Sequence, residues 1–165
     1  MISNKMLKKI NEQINLELES SYLYLSISAY FESIDLKGFA HWMMTQSKEE
    51  LSHAIKLYNH IITSNGTVTF SEIKRPKAKW NSINNAVEDA YNHEVHVTKM
   101  IHNIVEFANS EKDHLTFNML QWFVSEQIEE ENITSDVIKK LKLINNDGTG
   151  LFLLDQELGN RNNSS

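Results

Sequence analysis

The chain has 165 residues, enough for one domain and at most two, and no apolar run approaches the roughly 20 residues that a membrane span needs. It holds no cysteine, which excludes disulfides, thiolate zinc sites, thiol nucleophiles and iron–sulfur clusters together. Sixteen Lys and Arg against 22 Asp and Glu give a net charge of −6, the wrong sign for a general nucleic-acid binder and the right one for gathering cations.

The start, Met1-Ile2-Ser3-Asn4-Lys5, lacks the apolar stretch of a secretory leader, so a reducing cytoplasm is the expected location. With so few glycines and prolines, the tracts between them run long and unbroken. Residues 4–32 show helical periodicity with a seam, at alternating steps of four and three, of Ile10, Ile14, Glu17, Ser21, Tyr24, Ser28 and Phe31. Ser3 can cap this helix. Residues 38–65 repeat the pattern through Phe39, Met43, Gln46, Glu50, His53, Leu57 and His60, and Gly66 suits the position just past the end.

A link of about 15 residues, 66–81, follows. Stretched at roughly 3.3 Å per residue it reaches about 50 Å, whereas a 28-residue helix is about 42 Å long. The link can therefore run the length of a bundle and leave the second and third helices parallel. Thr67-Val68-Thr69-Phe70 suits an extended crossing segment.

Residues 82–109 carry the seam Ile83, Val87, Ala90, Glu94, Val97, Ile101, Ile104 and Ala108, capped by Asn81 or Ser82. Residues 112–142 carry Thr116, Leu120, Phe123, Gln127, Glu130, Thr134, Val137 and Leu141, with Ser110 as the expected cap. A short fifth helix over 148–158 opens with Gly148-Thr149-Gly150-Leu151-Phe152-Leu153-Leu154, too apolar for a free surface. The expected organisation is one all-α domain over 1–159, a four-helix bundle with one long crossover and a short C-terminal helix, followed by a flexible polar tail over 160–165.

Each seam is apolar or small except near its middle. There it carries Glu17, then Glu50 with His53, then Glu94, then Gln127 with Glu130. In an aligned bundle helix midpoints coincide whichever way a helix runs, so four carboxylates, an imidazole and an amide should meet at one height. Like charges repel in low dielectric and each desolvated anion costs several kcal/mol. The four must protonate, find cations or lie nearer solvent than the seam implies, and no Lys or Arg occupies these stretches of seam. Two divalent ions cancel four carboxylates. Glu50 and His53, three apart on one face, can serve a single ion, with Glu50 the natural bridge to a second. Oxygen-rich ligation with one imidazole suits iron or manganese.

Glu17, Tyr24, Glu50-x-x-His53, Glu94, Gln127 and Glu130 resemble, in order and spacing over nearly the whole chain, the ferroxidase centre of non-haem bacterial ferritins. The resemblance implies one iron held by Glu17, Glu50 and His53, a second held by Glu50, Glu94 and Glu130, and Gln127 as the neutral residue of the centre. It also implies a third iron site from Glu49, Glu126 and Glu129 with Glu130 shared, where spacing alone reads a solvated charged face. Tyr24 reads alone as a core tyrosine bonded to a carboxylate; the resemblance makes it a ligand-orienting group and a candidate electron donor. The implied activity is oxidation of Fe(II) by O2 or H2O2 and deposition of ferric oxyhydroxide inside a hollow shell of 24 subunits, with the fifth helix directed to a four-fold axis. No membrane partner is implied.

Bacterioferritin is the near rival. It carries a second Glu-x-x-His on the fourth helix, where this chain has Gln127-Ile128-Glu129-Glu130, and Ser52 stands where its haem-ligating methionine would lie. No haem is expected. The sequence leaves two other readings open, a di-iron oxygenase acting on an organic substrate and a helical adaptor whose buried carboxylates are protonated. His41, His60, His93, His96, His102 and His114 show no second ligand cluster, and His93 and His96 are expected to turn away from the seam.

Overall fold

Among the described residues there are four long helices and a short one: α1 (Asn4–Ser33), α2 (Lys37–Thr63), α3 (Ile83–Ser110), α4 (His114–Ile144) and α5 (Gly148–Gly159). The computed structural model describes residues 2–162, so Asn163, Ser164 and Ser165 of the expected tail lie outside the described residues. Helix limits fall within two residues of those read from periodicity.

The starts follow the chemistry of exposed N–H groups. Ser3 accepts from Met6 N and Ser82 from Asn85 N, as small hydroxyl caps do. The cap of α4 is Asp113, which accepts from Thr116 N; Ser110 is instead the last residue of α3, its hydroxyl donating to Phe107 O. The turn between them reverses at Lys112, whose φ is 56°. Gly66 is likewise not the left-handed residue past α2. That conformation falls on Asn65 at φ 56°, while Gly66 N closes the helix onto Ile61 O at 2.9 Å. A Cβ on Gly66 would lie 2.8 Å from Leu7 Cδ1, so close packing on α1 explains the glycine.

Ser21 Oγ donates to Ser47 O and Ser28 Oγ to Ala40 O, which sets α1 and α2 antiparallel. The crossover then runs along α1. Asn11 donates to Thr67 O and accepts from Thr69 N, Asn15 accepts from Ser71 N, and Ser26 donates to Lys77 O. The partners rise together in number, so the link travels from the end of α2 to the far end of α1, and α3 starts parallel to α2. The segment over 67–70 is extended but belongs to no sheet; asparagine side chains supply the hydrogen bonds that a neighbouring strand would.

The apolar core is divided. One cluster gathers Tyr24, Ile27, Phe31, Phe39, Trp42, Ala86, Val87, Val137 and the α5 residues Leu154 and Leu158. The other holds Met6, Ile10, Ile14, Leu57, Ile61, Ile101, Leu120 and Phe123. Between them lies a polar layer. α5 docks on the start of α2 so tightly that a Cβ on Gly38 would lie 1.6 Å from Asp155 O. Leu36, the residue before α2, provides no side-chain cap, and Asp155 Oδ1 accepts from Phe39 N at 3.0 Å instead. Arg161 falls within the expected flexible tail but is packed: its guanidinium lies over Trp42 and its carbonyl oxygen is 2.8 Å from His41 Nε2.

Candidate metal centre

The seam positions of α1 to α4 place Glu17, Glu50, Glu94 and Glu130 at the level between the two apolar clusters. Their exposures are 0%, 1%, 1% and 2%, so none escapes to solvent. Among the described residues, none of the four forms an ion pair with a lysine or arginine. Burial raises the pKa of each. Glu17 is raised against the pull of hydrogen bonds from Glu50 and Gln13. Glu50 stands well above the ordinary carboxylate range, through burial and then repulsion from Glu94 and Glu17. Glu130 is raised well above it by burial and by Glu94 and Glu49. Glu94 rises to about 7, held down by hydrogen bonds from Tyr24 and Gln127.

Three glutamines temper this crowding. Gln13 Nε2 donates to Glu17 Oε1 at 2.7 Å, Gln46 Nε2 to Glu130 Oε2 at 2.5 Å and Gln127 Nε2 to Glu94 Oε2 at 3.0 Å. Each carboxylate thus gains a neutral donor that adds no charge. Glu50 has no such amide. Its neighbours are the Glu17 carboxyl and His53, whose Nδ1 is 3.4 Å from Glu50 Oε2. With every carboxyl ionised, Glu17 Oε2, Glu50 Oε1 and His53 Nδ1 have no hydrogen-bond partner. Unserved polar atoms are rare in cores, and these three are all metal-ligand types.

Two sets of ligand atoms lie within 4.8 Å of one another: Glu17, Glu50 and His53, and His53, Glu126 and Glu130. The first is the trio read from the seams. The second differs from the expected Glu50, Glu94 and Glu130, which do not gather this closely. Tyr24 OH and Gln127 between them engage both oxygens of Glu94. Glu126, 17% exposed at its side chain, reaches within 3.8 Å of His53 Nε2 from the outer side. Of the expected third set, Glu49 and Glu126 both act electrostatically on Glu130, whereas Glu129 is exposed and acts on Glu126.

His53 is lowered to about 4 by burial and by Lys56, so it is neutral and presents a free lone pair. The edges of Trp122 and Phe123 wall its ring, with centroids 5.3 and 6.0 Å away. Tyr24 is buried and donates to Glu94; burial and that carboxylate push its phenol well above the usual value. His93 does not simply face away. It bonds Ser20 Oγ at 2.6 Å and stands edge-on to the Tyr24 ring.

Sequence reasoning did not single out Gln13 and Gln46. Their signal was available: each precedes a seam glutamate by four residues, one helical turn, although Gln46 serves a carboxylate of another helix. The layer as a whole is a neutral imidazole and a set of carboxylates that cannot all ionise without compensation. Divalent cations that favour oxygen with some nitrogen ligation supply it.

A family model described as a ferritin-like domain matches residues 7–144. The chain is similar to the bacterial non-heme ferritin of Campylobacter jejuni, 39% identical over 160 residues that cover 97% of this chain and 96% of the relative. It is 40% identical to the bacterial non-heme ferritin of Bacteroides fragilis, over 98% of this chain and all of the relative. Among solved structures, the open-pore ferritin of the archaeon Archaeoglobus fulgidus superimposes with a TM-score of 0.97 at 48% identity, over 98% of this chain and 100% of that one.

Proposed function

Because this chain belongs to the ferritin family, we propose that it is an iron-storage protein that oxidises Fe(II) at the buried carboxylate layer and deposits the ferric product inside a hollow shell. The observation that supports this most is the layer itself: four glutamates at most 2% exposed, paired with no basic side chain and joined by a neutral histidine.

Fe(II) and O2 or H2O2 are the substrates. Two ferrous ions match four carboxylates in charge, so the substrate pair binds with the layer neutral and the protons leave. Glu17, Glu50 and His53 take one ion. Glu50, Glu94 and Glu130 take the second, which requires Glu94 and Glu130 to close on it. Gln127, Gln13 and Gln46 hold the carboxylates as acceptors, and Tyr24 fixes Glu94. Glu49, Glu126 and Glu129 form an outer path or third iron position that shares Glu130.

Dioxygen removes one electron from each iron and, with two protons, leaves as hydrogen peroxide. Each iron gains a positive charge that the fixed carboxylates do not cancel. Water supplies oxide and hydroxide, protons are released, and the hydrolysed ferric product moves inward as oxyhydroxide. Twenty-four chains make the shell in this reading, a particle of about 460 kDa (24 × 19.1 kDa). The apolar opening of α5, where Phe152 and Leu153 are exposed, faces a neighbouring chain. The cysteine-free sequence fits the cytoplasm.

Mixing metal-free protein with Fe(II) in air tests the assignment. Wild type oxidises Fe(II) rapidly, and Glu50→Ala loses that phase by about a hundred-fold or more, since both ions lose a shared ligand. Equal rates would remove the centre from this layer. Elution as a small dimer would return the oxygenase reading.

A further inference from the structure

A hydrogen-bond chain leaves the carboxylate layer between α3 and α4. Gln127 Nε2 donates to Glu94 Oε2 at 3.0 Å and to Thr98 Oγ1 at 3.2 Å. Thr98 Oγ1 in turn donates to Glu131 Oε1 at 2.6 Å. Glu131 follows Glu130 on α4 but lies off the seam and half-buried, at the margin of the layer. Nothing in the ferroxidase assignment uses it.

The direction of this chain follows from what each group can do. Thr98 Oγ1 gives its one hydroxyl proton to Glu131 Oε1. The lone pairs of Thr98 then face Gln127 and can be met only by the N–H end of the amide. The Glu94 main-chain oxygen, 3.3 Å from Gln127 Nε2, favours the same orientation through a longer contact, whereas the Glu94 carboxyl does not set it. A carboxyl can donate as well as accept, and an amide beside it is stable either way round. Were the amide reversed, an ionised Glu94 would face a carbonyl oxygen instead of N–H, at a site where desolvated anions already crowd.

We propose that Glu131, acting through Thr98, is a positioning residue for the iron centre: it locks the Gln127 amide with its nitrogen toward Glu94 and so holds the Glu94 carboxylate ready as a ligand. This rests on the ferroxidase reading above. Groups bonded directly to metal ligands contribute about ten-fold to a hundred-fold in metal affinity, and Glu131, which reaches Glu94 through Thr98 and Gln127, is assigned the low end of that range.

Anaerobic calorimetric titration of the assembled, metal-free protein with Fe(II) reads the effect without turnover. Glu131→Met removes the acceptor and should weaken Fe(II) binding about ten-fold. Glu131→Gln removes the charge but keeps an acceptor oxygen, and should recover most of that loss. Thr98→Val should match Glu131→Met, and the double variant should be no weaker than Thr98→Val by more than about two-fold, because the link is already cut. Equal losses in Glu131→Gln and Glu131→Met would assign the effect to charge and overturn the relay. So would a full further ten-fold loss in the double variant, or wild-type affinity in Glu131→Met.

Glu94→Ala separates this inference from its premise. If Glu94→Ala binds Fe(II) as wild type does, the centre itself is misassigned. If it loses tight binding while Glu131→Met does not, only the relay falls. Unchanged particle size and melting temperature in each variant identify the changes as local.

Discussion

The amide nitrogen of Gln46, on α2, lies 2.5 Å from Glu130 Oε2, on α4, and both side chains are buried. It is the neutral donor on a carboxylate that also faces repulsion from Glu94, Glu49 and Glu126. Gln46→Met keeps the volume and removes the donor. Fe(II) affinity should fall about ten-fold, as for other groups that orient a metal ligand, and anaerobic titration checks it. Unchanged affinity would make Gln46 a packing residue.

The pH dependence of the metal-free protein has a fixed sign. Glu17, Glu50, Glu94 and Glu130 all have pKa values raised from 4.5 in the fold, Glu94 to about 7. The native chain therefore keeps protons that the unfolded chain releases, and stability declines as pH rises from 4.5 through the folded values. His53 and His93, lowered from 6.5 to about 4, act oppositely between those limits, because there the unfolded chain takes up protons that the native one does not. Above pH 6.5 the carboxylates act without that opposition. The melting temperature of metal-free protein should fall between pH 6.5 and about 8, and Glu50→Gln should flatten the slope. Calorimetry at the two pH values decides it; a rise with no effect of Glu50→Gln would mean that the layer ionises without penalty.

α5 supplies the cap that α2 lacks, through Asp155 and Phe39 N. Asp155→Ala should lower stability by about 1 kcal/mol, the usual worth of an N-cap. Gly38→Ala should do more, about 3 kcal/mol, since the new Cβ would overlap Asp155 O at 1.6 Å and force α5 off the bundle. Hydrogen exchange across α5 distinguishes the two: accelerated throughout in Gly38→Ala, near wild type in Asp155→Ala.

Asn11 fastens the crossover with two hydrogen bonds, to Thr67 O and from Thr69 N. Asn11→Ala leaves both backbone groups to water and should lower stability by about 2 kcal/mol. Limited proteolysis should then cut within 67–72 first. Resistance equal to wild type would show that Val68, packed against the cluster of Met6, Ile10 and Phe123, holds the segment by itself.

The seam periodicity carried the architecture because a helix side chain's facing depends only on its position along the chain. That is why Glu17, Glu50, Glu94 and Glu130 could be assigned to one buried level before their contacts were known. The length of the 66–81 link carried the crossover for a similar reason, since reach is a covalent property. Caps were less legible. Serine and aspartate both satisfy exposed N–H groups, and the choice of Asp113 over Ser110 depended on where α3 stopped.

Composition and spacing, being local, determined the four-helix plan, the depth of the carboxylates and the pairing of Glu50 with His53. Only the packed structure decided which groups meet across helices: Gln46 with Glu130, Glu126 with His53, Tyr24 with His93, and Glu131 with Thr98. Such contacts depend on the rotation and tilt of one helix against another. Those are fixed by the fit of all the side chains between them, a property that no single stretch of sequence contains.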